Sequence, residues 1–276
     1  MINKVDRKKY LVVLEKIKKL NINTICMAGD CPNRYQCFSA STVTFLLLGN
    51  ICTRNCAYCN VESGIPNEVD YFEIDNILKA IKYLDLKYVV LTQVTRDDLD
   101  DGGAGYVALI VDKIKKEFSD IKVEVLISDL KGDLNALQKV LDSGIDVLNH
   151  NIEVVEDLFS LLRKEGNYER SLMILKEASM KKIVKSGLMV GLGETIEQIE
   201  KTLIDLKNNG VNIVTIGQYL KPSAKQYSVV KYYSDEEFKM IEKMGYEIGF
   251  DCVISGKLVR SSYQARKCFS EKMAIN

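Results

Sequence analysis

Six cysteines carry most of the chemical information in this chain. They form two trios, Cys26, Cys31 and Cys37, then Cys52, Cys56 and Cys59. The second trio has the spacing C-x3-C-x2-C, which brings three thiolates around one cubane iron–sulfur cluster. An electron-transfer cluster takes four protein ligands, so a trio with no obvious fourth cysteine leaves one iron open. An open metal position marks a catalytic rather than a structural site. Structural zinc is the competing use of clustered thiols, and it favours closely paired ligands in sets of four. Here only Cys56 and Cys59 have C-x2-C spacing, and His150 is the only histidine. Cys252 and Cys268 fit neither trio and read as buried small apolar residues or incidental thiols rather than ligands.

The elements that must position these thiols come from 276 residues with zero formal net charge and 47% hydrophobic content. That length supports one large globular domain, and the balanced charge gives no polybasic footprint for nucleic acid. Only Pro32, Pro66 and Pro222 interrupt the chain, and no low-complexity tract divides it. The apolar run Leu11–Val13 is too short for the core of a signal peptide, and no later run approaches membrane-spanning length. The expectation is a cytoplasmic protein with no membrane partner, whose cysteines serve metal binding or catalysis rather than disulfides.

Short β-rich runs alternate with amphipathic helices, the pattern of parallel strands covered by helices. Strands are expected over residues 42–48, 88–92, 123–127, 147–151, 184–190 and 213–219. Helices are expected near 74–84, 106–118, 134–141, 154–162, 172–180 and 196–206. In the last, Ile196, Ile199, Leu203 and Leu206 share one face, with Thr195 and Gln198 as a capping box. Six such units predict an α/β fold, a partial TIM-like (β/α)6 barrel. Residues 1–41 form an N-terminal extension, an amphipathic helix with Leu14, Ile17 and Leu20 on one side followed by the first trio. Residues 42–234 make the barrel core, and 235–276 a C-terminal extension with a further helix and a polar tail. Active sites of such folds gather at the C-terminal ends of strands, and the second trio directly follows the first expected strand.

Further runs make a specific resemblance. They are Cys31-Pro32-Asn33, Thr44-Phe45 leading to Gly49, Arg96 to Leu99 leading to Asp101-Gly102-Gly103-Ala104, and His150 to Glu153. Later come Lys185 to Glu194, Gly217 to Leu220, and Leu258 to Tyr263 with its Arg260-Ser261-Ser262-Tyr263 core. The second trio resembles the signature of radical S-adenosylmethionine enzymes, and the two trios together with the terminal serine run resemble the lipoyl synthase family. The resemblance implies a six-unit partial barrel that inserts two sulfur atoms, at C6 and C8, into an octanoyl group on a carrier-domain lysine. Breaking an unactivated C–H bond is beyond any side chain, so a cofactor must supply a radical. The implied cofactors are two [4Fe–4S] clusters and S-adenosylmethionine, the second trio chelating the latter through its open iron.

By the same resemblance, Cys26, Cys31 and Cys37 hold an auxiliary cluster that is consumed as sulfur donor. Its fourth ligand would be a serine oxygen, Ser262 in preference to Ser261, although spacing does not separate adjacent serines. Iron takes such a harder ligand less readily than thiolate, which suits its release during sulfur transfer. The alternative for both serines is the N-cap of a final helix running toward Met273. Tyr58 stands where the family places an aromatic beside adenine, or is a core aromatic at a strand end. Gly102 and Gly103 neighbour a nucleotide-binding stretch or make an ordinary strand-to-helix turn. Asn151 and Glu153, at the end of the fourth strand, are candidate cofactor contacts, while lone His150 reads better as a hydrogen-bonded core residue. Implied partners are an octanoylated lipoyl carrier domain, an E2 subunit or the glycine cleavage H protein, and a ferredoxin- or flavodoxin-type electron donor. Another radical sulfur-inserting enzyme and a non-catalytic iron–sulfur scaffold or electron carrier are the competing functions. Asn50, Asn55, Gln36, Lys257 and Lys225-Gln226 depart from the family pattern without removing a cluster ligand.

Overall fold

The computed structural model describes residues 6–263, 265, 266, 268 and 269. It opens with α1 (Arg7–Lys19), started by Asp6, whose carboxylate accepts from the amides of Lys8 and Lys9 at 3.1 Å. Lys16, Lys18 and Lys19 crowd its last turn, where the helix dipole favours cations, and Val13 and Ile17 are its buried residues. The short helices α2 (Ile25–Ala28) and α3 (Arg34–Ser39) carry the first trio toward β1 (Thr44–Leu47), which is buried along its whole length. A strand with both faces covered reads as a continuous apolar run rather than an alternation. A two-stranded piece, β2 (Ile51–Cys52) with β3 (Glu62–Ser63), brackets the second trio.

Strand and helix then alternate: α4 (Phe72–Leu84), β4 (Tyr88–Gln93), α5 (Ala104–Glu117), β5 (Lys122–Leu126), α6 (Leu134–Asp142), β6 (Val147–Asn149). They continue through α7 (Phe159–Leu162), α8 (Tyr168–Ser179), β7 (Ile183–Val190), α9 (Ile196–Asn208), β8 (Ile213–Gln218), α10 (Asp235–Ile248) and β9 (Cys252–Gly256). One sheet orders its strands β1-β4-β5-β6-β7-β8-β9, each neighbouring pair parallel. The result is an α/β partial barrel with β1 and β9 as its edges among the described residues. The β1 edge is partly covered, because Thr24 bridges Phe45 and Leu46 N–H donates to the Asn23 carbonyl at 2.9 Å. Exposed strand edges invite unwanted pairing, so this contact gives the N-terminal extension a structural use.

Three expectations are corrected. The sheet has a seventh strand, β9, in what was expected to be a helix and polar tail; the run is short, and only pairing with β8 makes it a strand. No continuous helix spans 154–162. Glu153 adopts φ +69° and is bound to β7 by Glu153 N–H to the Gly187 carbonyl (2.9 Å) and Met189 N–H to the Glu153 carbonyl (2.8 Å). Val154 and Val155 then bury outside any helix, leaving a 3-10 turn at Glu156–Leu158 ahead of α7. Finally, Cys252 and Cys268 are buried as expected, but a disulfide joins them. The capping boxes at Thr195–Gln198 and Ser234–Glu237 are both formed. The expected helix end at Met273 lies outside the described residues.

Candidate active site

The second trio occupies a loop that folds back on its own backbone and on three distant segments. Gly64 N–H donates to the Cys52 carbonyl at 2.9 Å and Cys59 N–H to the Cys56 carbonyl at 3.0 Å. Thr53 N–H reaches the Thr95 carbonyl at 3.0 Å, Ala57 N–H the Leu162 carbonyl at 2.9 Å, and Tyr227 N–H the Ala57 carbonyl at 2.8 Å. The Gln226 amide donates to the Cys59 carbonyl at 3.0 Å, so one departure from the family pattern does local structural duty. Arg54, inside the loop, is buried and bonds Asp97 at 2.6 Å and Asp129 at 2.7 Å. Burial alone would push the Asp129 carboxyl up; the Arg54 contact, with the Arg170 charge beside it, outweighs that and holds it at about 2.

The first trio is set by turns. Thr24 caps α2, accepting from Met27 N–H at 3.3 Å, and Cys26 follows on its first turn. Cys31 N–H donates to the Cys26 carbonyl at 3.2 Å and Cys37 N–H to the Asn33 carbonyl at 2.9 Å. The two cysteine segments touch directly, the Asn60 amide donating to the Ala28 carbonyl at 3.2 Å. One cavity of about 530 Å³ is lined by Cys26, Cys31, Cys52, Cys56 and Cys59, together with Tyr58, Asn151, Glu153, Ser261 and Ser262. Cys37 is not in that lining but lies within electrostatic reach of Cys26 and Cys31.

No three of the described His, Cys, Asp and Glu side chains converge closely enough to hold a single metal ion. A cubane asks for something else, since its thiolates bind different irons and must surround a volume rather than meet at a point. All six thiols are free. Burial pushes Cys37 and Cys59 up to about 12, with the neighbouring thiols of each trio adding to it. A cluster held by these thiols would have to displace a proton from each. The cavity also suits a polar ligand. Gln93 Oε1 and Asn149 Oδ1 are buried without a hydrogen-bond partner among the described residues, and both side chains belong to its lining.

Near the second trio, burial pushes the Tyr58 hydroxyl well up, with the Glu153 charge adding to it. Burial also raises Glu153, opposed by the Arg163 charge and the Asn151 amide, which donates to Glu153 Oε1 at 3.0 Å. Gly187 on β7 makes the room, because a Cβ there would sit 2.7 Å from Asn151 Oδ1. The left-handed backbone of Glu153 is a costly conformation for a side-chain-bearing residue, and such strain concentrates at functional sites.

Gly102 and Gly103 do not reach the cavity lining. They build the turn into α5 with φ +61° and +86°, Asp101 accepts from Gly103 N–H at 3.0 Å, and a Cβ on Gly103 would collide with Leu48. His150 is fully buried outside the lining, its Nδ1 3.0 Å from the Ile127 carbonyl. Sequence reasoning missed Arg163, Asn149 and Gln93. Arg163 is buried and donates to the Asn151 carbonyl at 3.1 Å, beside Tyr58 and Glu153. No local pattern announces it. Arg54 had a signal, a charged residue between two cluster-spaced cysteines. Asn50, Asn55, Gln36 and Lys257 are all exposed.

A model of the radical SAM superfamily matches residues 46–206. The chain is similar to lipoyl synthase from Caldicellulosiruptor saccharolyticus, 47% identical over 258 residues that cover 92% of this chain and 90% of that one. It is also similar to lipoyl synthase from Aquifex aeolicus, 47% identical over 260 residues, 93% and 94% of the two chains. Among solved structures, methylornithine synthase superposes with a TM-score of 0.60 at 16% identity, over 76% of this chain and 70% of that one. A maturase of the [FeFe]-hydrogenase gives 0.58 at 15% identity, over 96% and 74%. At such identities those two structures speak for the fold alone.

Proposed function

The chain belongs to the lipoyl synthase family of the radical SAM superfamily, and on that premise we propose specific roles for its own residues. It is a radical SAM sulfur-inserting enzyme using S-adenosylmethionine and two [4Fe–4S] clusters. Cys52, Cys56 and Cys59 hold the radical-generating cluster, and Cys26, Cys31, Cys37 and Ser262 hold the sulfur-donating one. Tyr58, Asn151 and Glu153 contact S-adenosylmethionine. The single observation that supports this most is the shared cavity, which brings five of the six free cysteines and the serine run together.

When bound, the clusters and S-adenosylmethionine supply C–H bond breaking and the inserted sulfur, chemistry outside the side-chain repertoire. The protein's part is binding, orientation and exclusion of water. Arg163 carries a fixed positive charge beside Glu153 and Tyr58, balancing a carboxylate that burial would otherwise leave uncompensated. The Leu46, Val90, Leu126 and Leu188 side chains make part of the lining apolar, which suits an acyl chain. The acyl substrate is an octanoyl group on a lipoyl carrier protein, an E2 subunit or the glycine cleavage H protein, and a ferredoxin or flavodoxin supplies electrons in the cytoplasm.

Anaerobically reconstituted protein should bind about eight irons per chain, four for each cubane. With reductant, S-adenosylmethionine and an octanoylated carrier peptide, it should release 5′-deoxyadenosine and raise the peptide mass by two inserted sulfurs. Cys52→Ala should lose both products and about half the iron, whereas Ser262→Ala should still release 5′-deoxyadenosine without completing the product. Absence of the nucleoside would make the chain a non-catalytic scaffold. Nucleoside without sulfur gain in the peptide would assign it another radical reaction.

A further inference from the structure

The described residues place one fully buried ion pair inside the sheet, Lys185 with Glu124, each 1% exposed and 3.0 Å apart. Removing two charges from water is costly, so the pair is weak evidence for stability, and breaking it by removing one partner would leave an uncompensated buried charge. The Glu124 carboxylate also accepts from the Tyr88 hydroxyl at 2.8 Å and from Asn149 Nδ2 at 3.0 Å. Asn149 Nδ2 then donates its second hydrogen to Ser261 Oγ at 2.9 Å. The carboxylate settles the amide orientation, because a reversed amide would turn its oxygen toward a negative charge. Ser261 must accept from Asn149, so its own proton goes to Asn151 Oδ1 at 2.6 Å. Asn151 passes on a hydrogen to Glu153. Donation therefore runs in a fixed direction from Asn149 through Ser261 and Asn151 to Glu153, while Glu124 accepts from both Lys185 and Asn149.

Both serines line the cavity with Cys26 and Cys31, but rotation of the Ser261 hydroxyl is fully committed, while Ser262 Oγ makes no hydrogen bond among the described residues. Other contacts pin the same stretch. The Asn33 amide donates to the Leu258 carbonyl at 2.6 Å, and Arg260 to the Gln218 carbonyl at 3.2 Å. Gly217 on β8 lets the Val259 carbonyl approach where any Cβ would collide.

We propose that Asn149 and Ser261 are positioning residues: with the Lys185–Glu124 pair as anchor, they set the register of the 257–263 arm so that, of the two serines, Ser262 keeps its hydroxyl available to the first cysteine trio. This rests on the reading that Ser262 ligates the auxiliary cluster. Iron ligands held by such outer partners lose on the order of 10- to 100-fold in metal affinity when the partners are removed.

The test uses full-length Cys52→Ala/Cys56→Ala/Cys59→Ala protein, which retains only the first trio's cluster. Three variants are added to it singly, Ser261→Ala, Asn149→Leu and Ser261→Thr. Ser261→Ala and Asn149→Leu should speed chelator-driven iron loss on the order of 10-fold or more and blur the Mössbauer signal of the oxygen-ligated iron. Ser261→Thr, which keeps the hydroxyl, should restore both. In cluster-free protein, hydrogen exchange over 257–263 should rise in the first two variants and not in the third. Ser262→Ala serves as reference. If it leaves the Mössbauer signal unchanged, the ligand reading has failed. If it abolishes the signal while Ser261→Ala leaves signal and iron loss untouched, the positioning role is overturned. Failure of Ser261→Thr to rescue would also overturn it, reducing Ser261 to packing. Should Asn149→Leu not fold, the two Ser261 variants decide.

Discussion

Among single residues, His150 shows how burial overrides chemical type. A lone histidine near a site invites a proton-transfer role, yet burial, aided by the Arg163 charge, pushes its imidazole down to about 4. The ring is therefore neutral through the physiological range. Its single set of imidazole NMR signals should not titrate between about pH 5 and 8, whereas an exposed ring would show a midpoint near 6.5. A folded value below the unfolded one contributes stability above about pH 6.5, and that contribution is lost as pH falls toward about 4. His150→Gln should flatten the unfolding free energy across that window. Equal slopes in the two proteins would refute the assignment. Tyr58 and Glu153 follow the same rule in the opposite direction, burial favouring their neutral forms.

Individual elements owe their ends to local chemistry and their positions to the sheet. Helix α10 begins with a reciprocal box in which Ser234 Oγ accepts from Glu237 N–H at 3.1 Å and Glu237 Oε2 from Ser234 N–H at 2.7 Å. It ends on Gly249 at φ +104°. This helix packs against β9, the strand that launches the serine arm. Ser234→Ala should lower stability by about 1 kcal/mol in urea unfolding. An unchanged midpoint would mean that packing on β9 already suffices to start the helix. The contrast with 154–162 is instructive. Apolar residues at helical spacing there are drawn into other backbone geometry, because Glu153 pairs with β7.

The whole molecule closes its polar interior from both termini, with the N-terminal extension on β1 and the C-terminal arm on β8. The Cys252–Cys268 disulfide ties β9 to the segment just beyond the arm, across a sequence separation of 16. A loop of that size restrains the unfolded chain by about 3 kcal/mol. Cluster-free protein denatured without reductant should then offer six of its eight cysteines to alkylation, the six that are free in the fold. Reduction should lower its urea midpoint. Eight reactive thiols before reduction would remove the link.

The sequence alone determined whatever depends on neighbours along the chain. The thiol spacings, the strand–helix alternation, the Thr195 capping box and the serine run are all local signals, and each is readable because covalent proximity sets its geometry. The tertiary structure decided what depends on residues far apart. Asn149 and Ser261 are 112 positions apart, and nothing near either one announces their bond. β9 is a strand because β8 offers it a parallel partner, and Arg163 belongs to the site because a short helix happens to end beneath Asn151. Gly102 and Gly103 sit in a motif and build a turn, since both have left-handed backbones and a Cβ on Gly103 would collide with Leu48. Burial, which no single stretch of sequence encodes, selects among the roles that residue type permits.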